Sequence, residues 1–209
     1  MRQYSIDARN IKNPIYPCPI QMGGKNANGQ MLSIGNYYLS LDGKPFFGIC
    51  GEAHFSRINR ELWEDEIIKM KAGGLNMIAT YIFWIHHEEI EGTFDFSGNK
   101  DLRLFLELCK KNHMYVILRI GPFSHGECRN GGFPDWIYGQ PFDIRCDDPS
   151  YLYYTRRFYE QIYQQAKGLL FKDNGPVIGV QLENEHEHAS CPWEMTTENS
   201  KEWVVSRHD

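Results

Sequence analysis

Val177-Ile178-Gly179-Val180-Gln181-Leu182-Glu183-Asn184-Glu185 reads as a strand that turns polar on one side as it ends. Alternation puts Ile178, Val180 and Leu182 on one face and Gln181, Glu183 and Glu185 on the other. A sheet covered by helices on both faces has no place for three polar side chains in a row, whereas the lumen of a barrel near its open end accepts them.

Working outward, the segments before this strand repeat one pattern. Asp148-Pro149 opens a helix whose apolar stripe is Tyr151, Tyr154, Phe158, Ile162, Ala166 and Leu169. Residues 114–120 form a short apolar strand, preceded by a helix that Asn99 can cap and that carries Leu102, Phe105, Leu106 and Cys109 on one side. Before that come a strand over 75–84 and a helix capped by Asn59, with Trp63, Ile67 and Met70 at helical spacing and Gly73-Gly74 at its end. An apolar strand over 45–53 follows the hairpin turn Asp42-Gly43.

Strands alternating with helices specify an α/β fold with a parallel sheet. The polar strand ends point to a (β/α)8 TIM-barrel type, of which only about the first four βα units are visible, behind an N-terminal β-hairpin arm. The expected division is an arm over 1–35 and a partial barrel over 36–209. A closed barrel needs eight strands and about 250 residues, so the chain reads as half of one.

The charge balance is 22 Lys plus Arg against 27 Asp plus Glu, net −5, with no basic run, so nucleic acid is not an expected partner. No apolar run reaches the roughly 18 residues of a membrane span, and residues 1–10 lack the apolar stretch of a secretory leader. Six cysteines (Cys18, Cys50, Cys109, Cys128, Cys146, Cys191) contain no Cys-x-x-Cys pair. They are expected as free thiols in a cytoplasmic protein.

Glu183 and Glu185 at a strand end suit glycoside hydrolysis, in which one carboxylic acid protonates the leaving oxygen and a second carboxylate attacks or activates water. Ion pairing of the two with Arg119 or with lysines explains the same spacing, and spacing alone does not separate the two readings. His86, His87, Glu88 and Glu89 with His186 and His188 hold enough donors for zinc. Adjacent side chains on an extended chain diverge, however, and no His-x-x-x-His pair exists, so no metal is expected. Tyr81, Trp84, Phe123 and Trp136 lie beside the strand-end loops as aromatic platforms for a sugar or as core.

Four segments carry a resemblance: Gly51-Glu52-Ala53-His54-Phe55-Ser56-Arg57; Thr80-Tyr81-Ile82-Phe83-Trp84 with His87-Glu88; Gly121-Pro122-Phe123 through Glu127 to Gly131-Gly132-Phe133-Pro134; and Gly175-Pro176-Val177 through Gln181-Leu182-Glu183-Asn184-Glu185. In this order and with these gaps, the stretch from about 42 to 185 resembles glycoside hydrolase family 35, the retaining β-galactosidases of clan A. The resemblance implies removal of terminal β-D-galactose from an oligosaccharide or glycoconjugate, without cofactor. It implies Glu185 as general acid/base, Asn184 near the sugar 2-hydroxyl, Tyr81 at the end of the second strand, and His125-Gly126-Glu127 as the galactose-binding loop. It places the nucleophile on the seventh strand, beyond residue 209. A galactoside-binding fragment without turnover, or a clan A glycosidase for another sugar, are the alternatives. The family's usual Asn-Glu-Tyr-Gly reads Asn184-Glu185-His186-Glu187 here, and Ile85 stands where an Asn usually follows the Trp.

Overall fold

The structure, a computed structural model, describes residues 14–18 and 22–185. The chain divides into two compact units, Met1–Phe47 and Gly48–Asp209.

The first unit is an antiparallel meander of β1 (Gly23–Lys25), β2 (Met31–Ile34), β3 (Leu39–Leu41) and β4 (Lys44–Phe46). Leu41 faces Lys44 across the two-residue turn Asp42-Gly43. Both turn residues have positive φ, 50° and 75°, the twist that suits a tight hairpin. Asp42 Oδ1 also accepts from Met31 N at 2.8 Å, tying the turn to β2. Because Ser33 pairs with Ser40, the expected arm boundary at 35/36 falls inside this sheet, and the unit ends at Phe47.

The second unit holds four parallel strands in the order β5 (Cys50–Glu52), β6 (Met77–Tyr81), β7 (Tyr115–Gly121), β8 (Val177–Leu182). The single strand expected over 45–53 is therefore two, β4 and β5, in different sheets. An apolar run reports burial and not which sheet each part joins, and Pro45, lacking an N–H, suits the edge position of β4. Helices α1 (Trp63–Ala72), α3 (Leu102–Lys111) and α4 (Pro149–Ala166) cross over between successive strands, and a single turn, α2 (Trp84–His87), follows β6. This is the beginning of a (β/α)8 arrangement.

Local chemistry explains the helix ends. Asn59 accepts from Glu61 N and caps a 3-10 turn that runs into α1, whose first turn holds Glu64, Asp65 and Glu66 and whose last holds Lys69 and Lys71. Asp148 accepts from Ser150 N and Tyr151 N, with Pro149 at the first helical position. The cap of α3 is Asp101, accepting from Leu104 N at 2.9 Å, and not Asn99. Asn99 Oδ1 instead accepts from Arg60 N at 2.9 Å, a partner 39 residues away.

The helix-facing side of the sheet buries Ile78, Ile82, Val116, Leu118 and Ile120 against Trp63, Ile67, Phe105 and Phe158. A side chain at Gly51 would press on the ends of Leu75 and Met70, which would have to shift. On β8 the same face is open: Val180 and Leu182 are 51% and 41% exposed. Leu182 lines a groove of about 470 Å³ with Leu152, Tyr159 and Tyr163 of α4. Among the described residues no helix is long and apolar enough to cross a membrane.

Candidate active site

The opposite face of the sheet converges on Arg119. Register places Tyr81 beside Arg119 and Arg119 beside Gln181. The Arg119 guanidinium lies over the Tyr81 ring, 3.7 Å from its centroid. It pairs with the Glu52 carboxylate and donates to Gln181 Oε1 at 3.1 Å and to Asn184 Oδ1 at 2.8 Å. One side chain thus links the ends of all four parallel strands. Gln181 Nε2 also donates to Asn184 Oδ1, at 3.2 Å. With its oxygen held twice, Asn184 keeps an amide nitrogen that makes no hydrogen bond among the described residues.

The two glutamates that share a face by alternation are separated by the backbone. The strand stops at Leu182, and Glu183 and Glu185 take positive φ of 55° and 45°. Glu183 turns inward, 5% exposed, with Oε2 on Arg145 Nε at 3.1 Å and Oε1 accepting from Phe123 N at 3.0 Å. Among the described residues its ion-pair partner is Arg145, where the sequence reading offered Arg119 or a lysine. Glu185 is exposed, and its carboxylate has no hydrogen-bond partner among the described residues.

Tyr81 sits between these groups. Burial pushes its hydroxyl up to about 12; Arg119 opposes, and the Glu52, Glu185 and Glu127 carboxylates add to the rise. The phenol therefore stays a donor at neutral pH, with three carboxylates close enough to influence it. The His54 ring lies tilted against Tyr81, centroids 5.0 Å apart, and its Nδ1 accepts from Tyr81 N at 3.3 Å. Burial lowers the His54 imidazole below its usual value, Arg57 and Arg119 acting in the same direction and Glu52 and Glu127 opposing.

The loop after β7 is folded back on itself. Ser124 N and His125 N both donate to Gly131 O, at 2.7 and 3.1 Å, and Cys128 N donates to His125 O at 2.9 Å. His125, Gly126 and Glu127 have successive φ of 56°, 52° and 48°. Gly126 is where the loop closes on the site, since a side chain there would meet Phe83 at 3.1 Å and Tyr81 at 3.3 Å. Glu127 projects into a cleft of about 590 Å³ lined by Arg57, His86, Cys128, Arg129 and Asp135. Its carboxylate, like that of Glu185, has no hydrogen-bond partner among the described residues.

Residues 38–207 match Glycosyl hydrolases family 35. The chain belongs to this family. Similar proteins include the β-galactosidase of Xanthomonas manihotis, 40% identical over 146 residues, covering 69% of this chain and 24% of that one. The β-galactosidase of Homo sapiens is 39% identical over 167 residues, covering 78% and 25%. The chain therefore spans about a quarter of the length of these relatives. Among solved structures, the exo-β-1,4-mannosidase Op5Man5 from Opitutaceae bacterium strain TAV5 superposes with TM-score 0.56 at 16% identity, covering 83% of this chain and 28% of that one. The endo-1,4-β-mannanase from Rhizomucor miehei does so with TM-score 0.52 at 14% identity, covering 74% and 48%. These two share the fold.

Of the residues in the family 35 motifs, the structure brings Tyr81 and Asn184 onto Arg119, while Glu185 and Glu127 are near enough to act on the Tyr81 hydroxyl and Glu127 lines a cleft that includes none of the other three. His125 leans edge-on against Phe123, ring centroids 6.0 Å apart. Of the four candidate platforms, Tyr81 and Phe123 lie beside strand-end charges, and both rings are covered by an arginine. Trp84 is fully buried and stacked on Phe158, Trp136 donates to Glu88 O at 2.8 Å, and Phe123 carries the Arg145 guanidinium. The residues considered for zinc have other partners: His86 on Ser56, His87 on Asp95 O, Glu88 on Trp84, Gly92 and Arg157, and Glu89 on Lys100. His186 and His188 lie outside the described residues. Burial raises the Cys128 thiol above its usual value despite Arg57 and Arg129, which leaves it poorly nucleophilic.

Sequence reading missed the organising roles of Arg119 and Arg145. A charge inside the apolar run Tyr115-Val116-Ile117-Leu118-Arg119-Ile120 was a usable signal for the first. Nothing local marks the second.

Proposed function

We propose that this chain provides the galactose-recognising and proton-donating part of a retaining β-galactosidase. The observation that carries the reading is the Asn184-Glu185 pair at the end of the fourth parallel strand, with Glu185 uncommitted while Glu52 and Glu183 are tied to arginines. In this reading the Asn184 amide donates to the sugar 2-hydroxyl, and Glu127 accepts from hydroxyls across the ring. As a carboxylate nucleophile attacks the anomeric carbon, Glu185 protonates the departing glycosidic oxygen; it then takes a proton from the water that displaces that carboxylate, and the two inversions together retain the anomeric configuration. In this reading the nucleophile comes from a further strand of the barrel, beyond residue 209. For the 209-residue chain alone, binding without turnover is favoured, because Glu127 is assigned to sugar hydroxyls and the other nearby carboxylates are paired.

Calorimetric titration of the chain with D-galactose, D-glucose and D-mannose tests the reading. Galactose should bind best, and Glu127→Gln should weaken it by about 1.5–3 kcal/mol, the range for hydrogen bonds to charged groups. Equal binding of the three sugars would remove the galactose assignment. Robust hydrolysis of an aryl β-galactoside by the pure chain would remove the assignment of the nucleophile to another segment.

A further inference from the structure

Arg145 lies in the loop before α4, 38 residues ahead of Glu183, and is only 3% exposed. Its Nε donates to Glu183 Oε2 at 3.1 Å, and its Nη2 donates to the carbonyl oxygens of Asn184 and Glu185 at 3.2 and 3.0 Å. The guanidinium plane rests over the Phe123 ring, 3.9 Å from the centroid. Glu183 closes the unit from the other side, accepting from Phe123 N and donating its own amide to Gly121 O at 2.7 Å.

The strand has already ended at Leu182, so no regular ladder holds the two residues that matter most. Arg145, Glu183 and Glu185 all have positive φ, of 57°, 55° and 45°. Backbone of this kind persists only where its surroundings over-determine it, and here the surroundings are the guanidinium and its acceptors. Arginine suits the task because its planar fork meets several acceptors at fixed angles while stacking on a ring, whereas a lysine ammonium is a point charge. The pair is also neutral as a unit, so it adds geometry beside Glu185 without adding net charge.

The geometry points to Arg145 as the positioning residue of Asn184-Glu185: the buried Arg145–Glu183 pair sets the direction in which the Asn184 amide and the Glu185 carboxyl leave the end of β8. Its functional consequence rests on the reading of these two residues as sugar ligand and acid/base. A second pair, the buried Glu88 with the partly exposed Arg157 of α4 at 2.9 Å, touches neither of them and serves as the control.

The test uses the full, isotopically labelled chain with D-galactose as probe. Arg145→Met should move the Asn184 side-chain amide and Glu185 backbone resonances and weaken galactose binding by roughly 10- to 100-fold. Arg145→Lys should rescue neither, and it carries the same test should Arg145→Met not fold. Arg157→Met should lower Tm comparably while leaving both readouts at wild-type values. Unchanged resonances and affinity in Arg145→Met, full rescue by Lys, or an equal response in Arg157→Met would each overturn the assignment. A wild-type chain that binds no galactose would defeat the functional reading instead, and the resonances alone would then decide this one.

Discussion

Two neighbouring regions of the parallel unit are built from opposite materials. On the helix side of the sheet, rings pack on rings: Trp84 lies parallel to Phe158 at 4.8 Å, and Phe55, Trp63 and Phe105 close a cluster at 5.4 to 5.8 Å. At the strand ends the buried groups are charged, Arg145 with Glu183, and the backbone is left-handed at His125, Glu127, Glu183 and Glu185. The contrast separates two uses of free energy. Apolar burial supplies stability, and that stability holds paired charges and strained backbone in place where sugar chemistry needs fixed donors and acceptors.

The largest expected effect lies at the rim. In a complete barrel carrying this segment, Glu185→Ala should lose roughly 10²–10⁴-fold on galactosides whose leaving group needs a proton, about 3–5.5 kcal/mol. With a dinitrophenyl galactoside the variant should show a burst and then slow turnover, which added azide accelerates. Equal loss on good and poor leaving groups without a burst would show that Glu185 acts as nucleophile or as structure.

On the core side, Phe158→Ala should cost about 3–5 kcal/mol in urea unfolding, because it empties the space against Trp84. A loss below about 1 kcal/mol, the size of an ordinary exposed substitution, would contradict the division of labour.

The core also holds a titratable histidine. His87 is fully buried between Phe55 and Phe96; Nδ1 donates to Asp95 O at 3.0 Å, and Nε2 has no hydrogen-bond partner. Burial pushes the imidazole down to about 4 from its ordinary 6.5. Between these values the unfolded chain binds the extra proton, so stability falls as pH drops through the window, by about 3 kcal/mol in all. Urea midpoints at pH 7 and 4.5 measure this, and His87→Phe should flatten the dependence.

The smallest effect concerns a helix cap. Asp101→Ala should destabilise by about 1 kcal/mol, and Asn99→Ala by less, since Asn99 caps nothing on α3. The reverse order in thermal unfolding would restore the assignment that local sequence suggests.

That pair of residues shows where sequence reading stops. Asn99 and Asp101 are both good cap types two positions apart, and the choice depends on Arg60 arriving to occupy Asn99. Glu183 and Glu185 are likewise equivalent by alternation, and an arginine from the loop before α4 decides which one is buried. The apolar run over 45–53 looked like one strand because burial periodicity is blind to sheet membership. By contrast, the Asp42-Gly43 turn, the Asp148-Pro149 helix start, the strand-helix order and the polar ending of the fourth strand were determined by the sequence itself. Each depends on backbone preference or side-chain periodicity within a few residues. Only the tertiary structure decided the Arg119 network, the burial of Glu183 and the left-handed turn that frees Glu185, because each needs partners more than 35 residues apart in the chain to meet at one place.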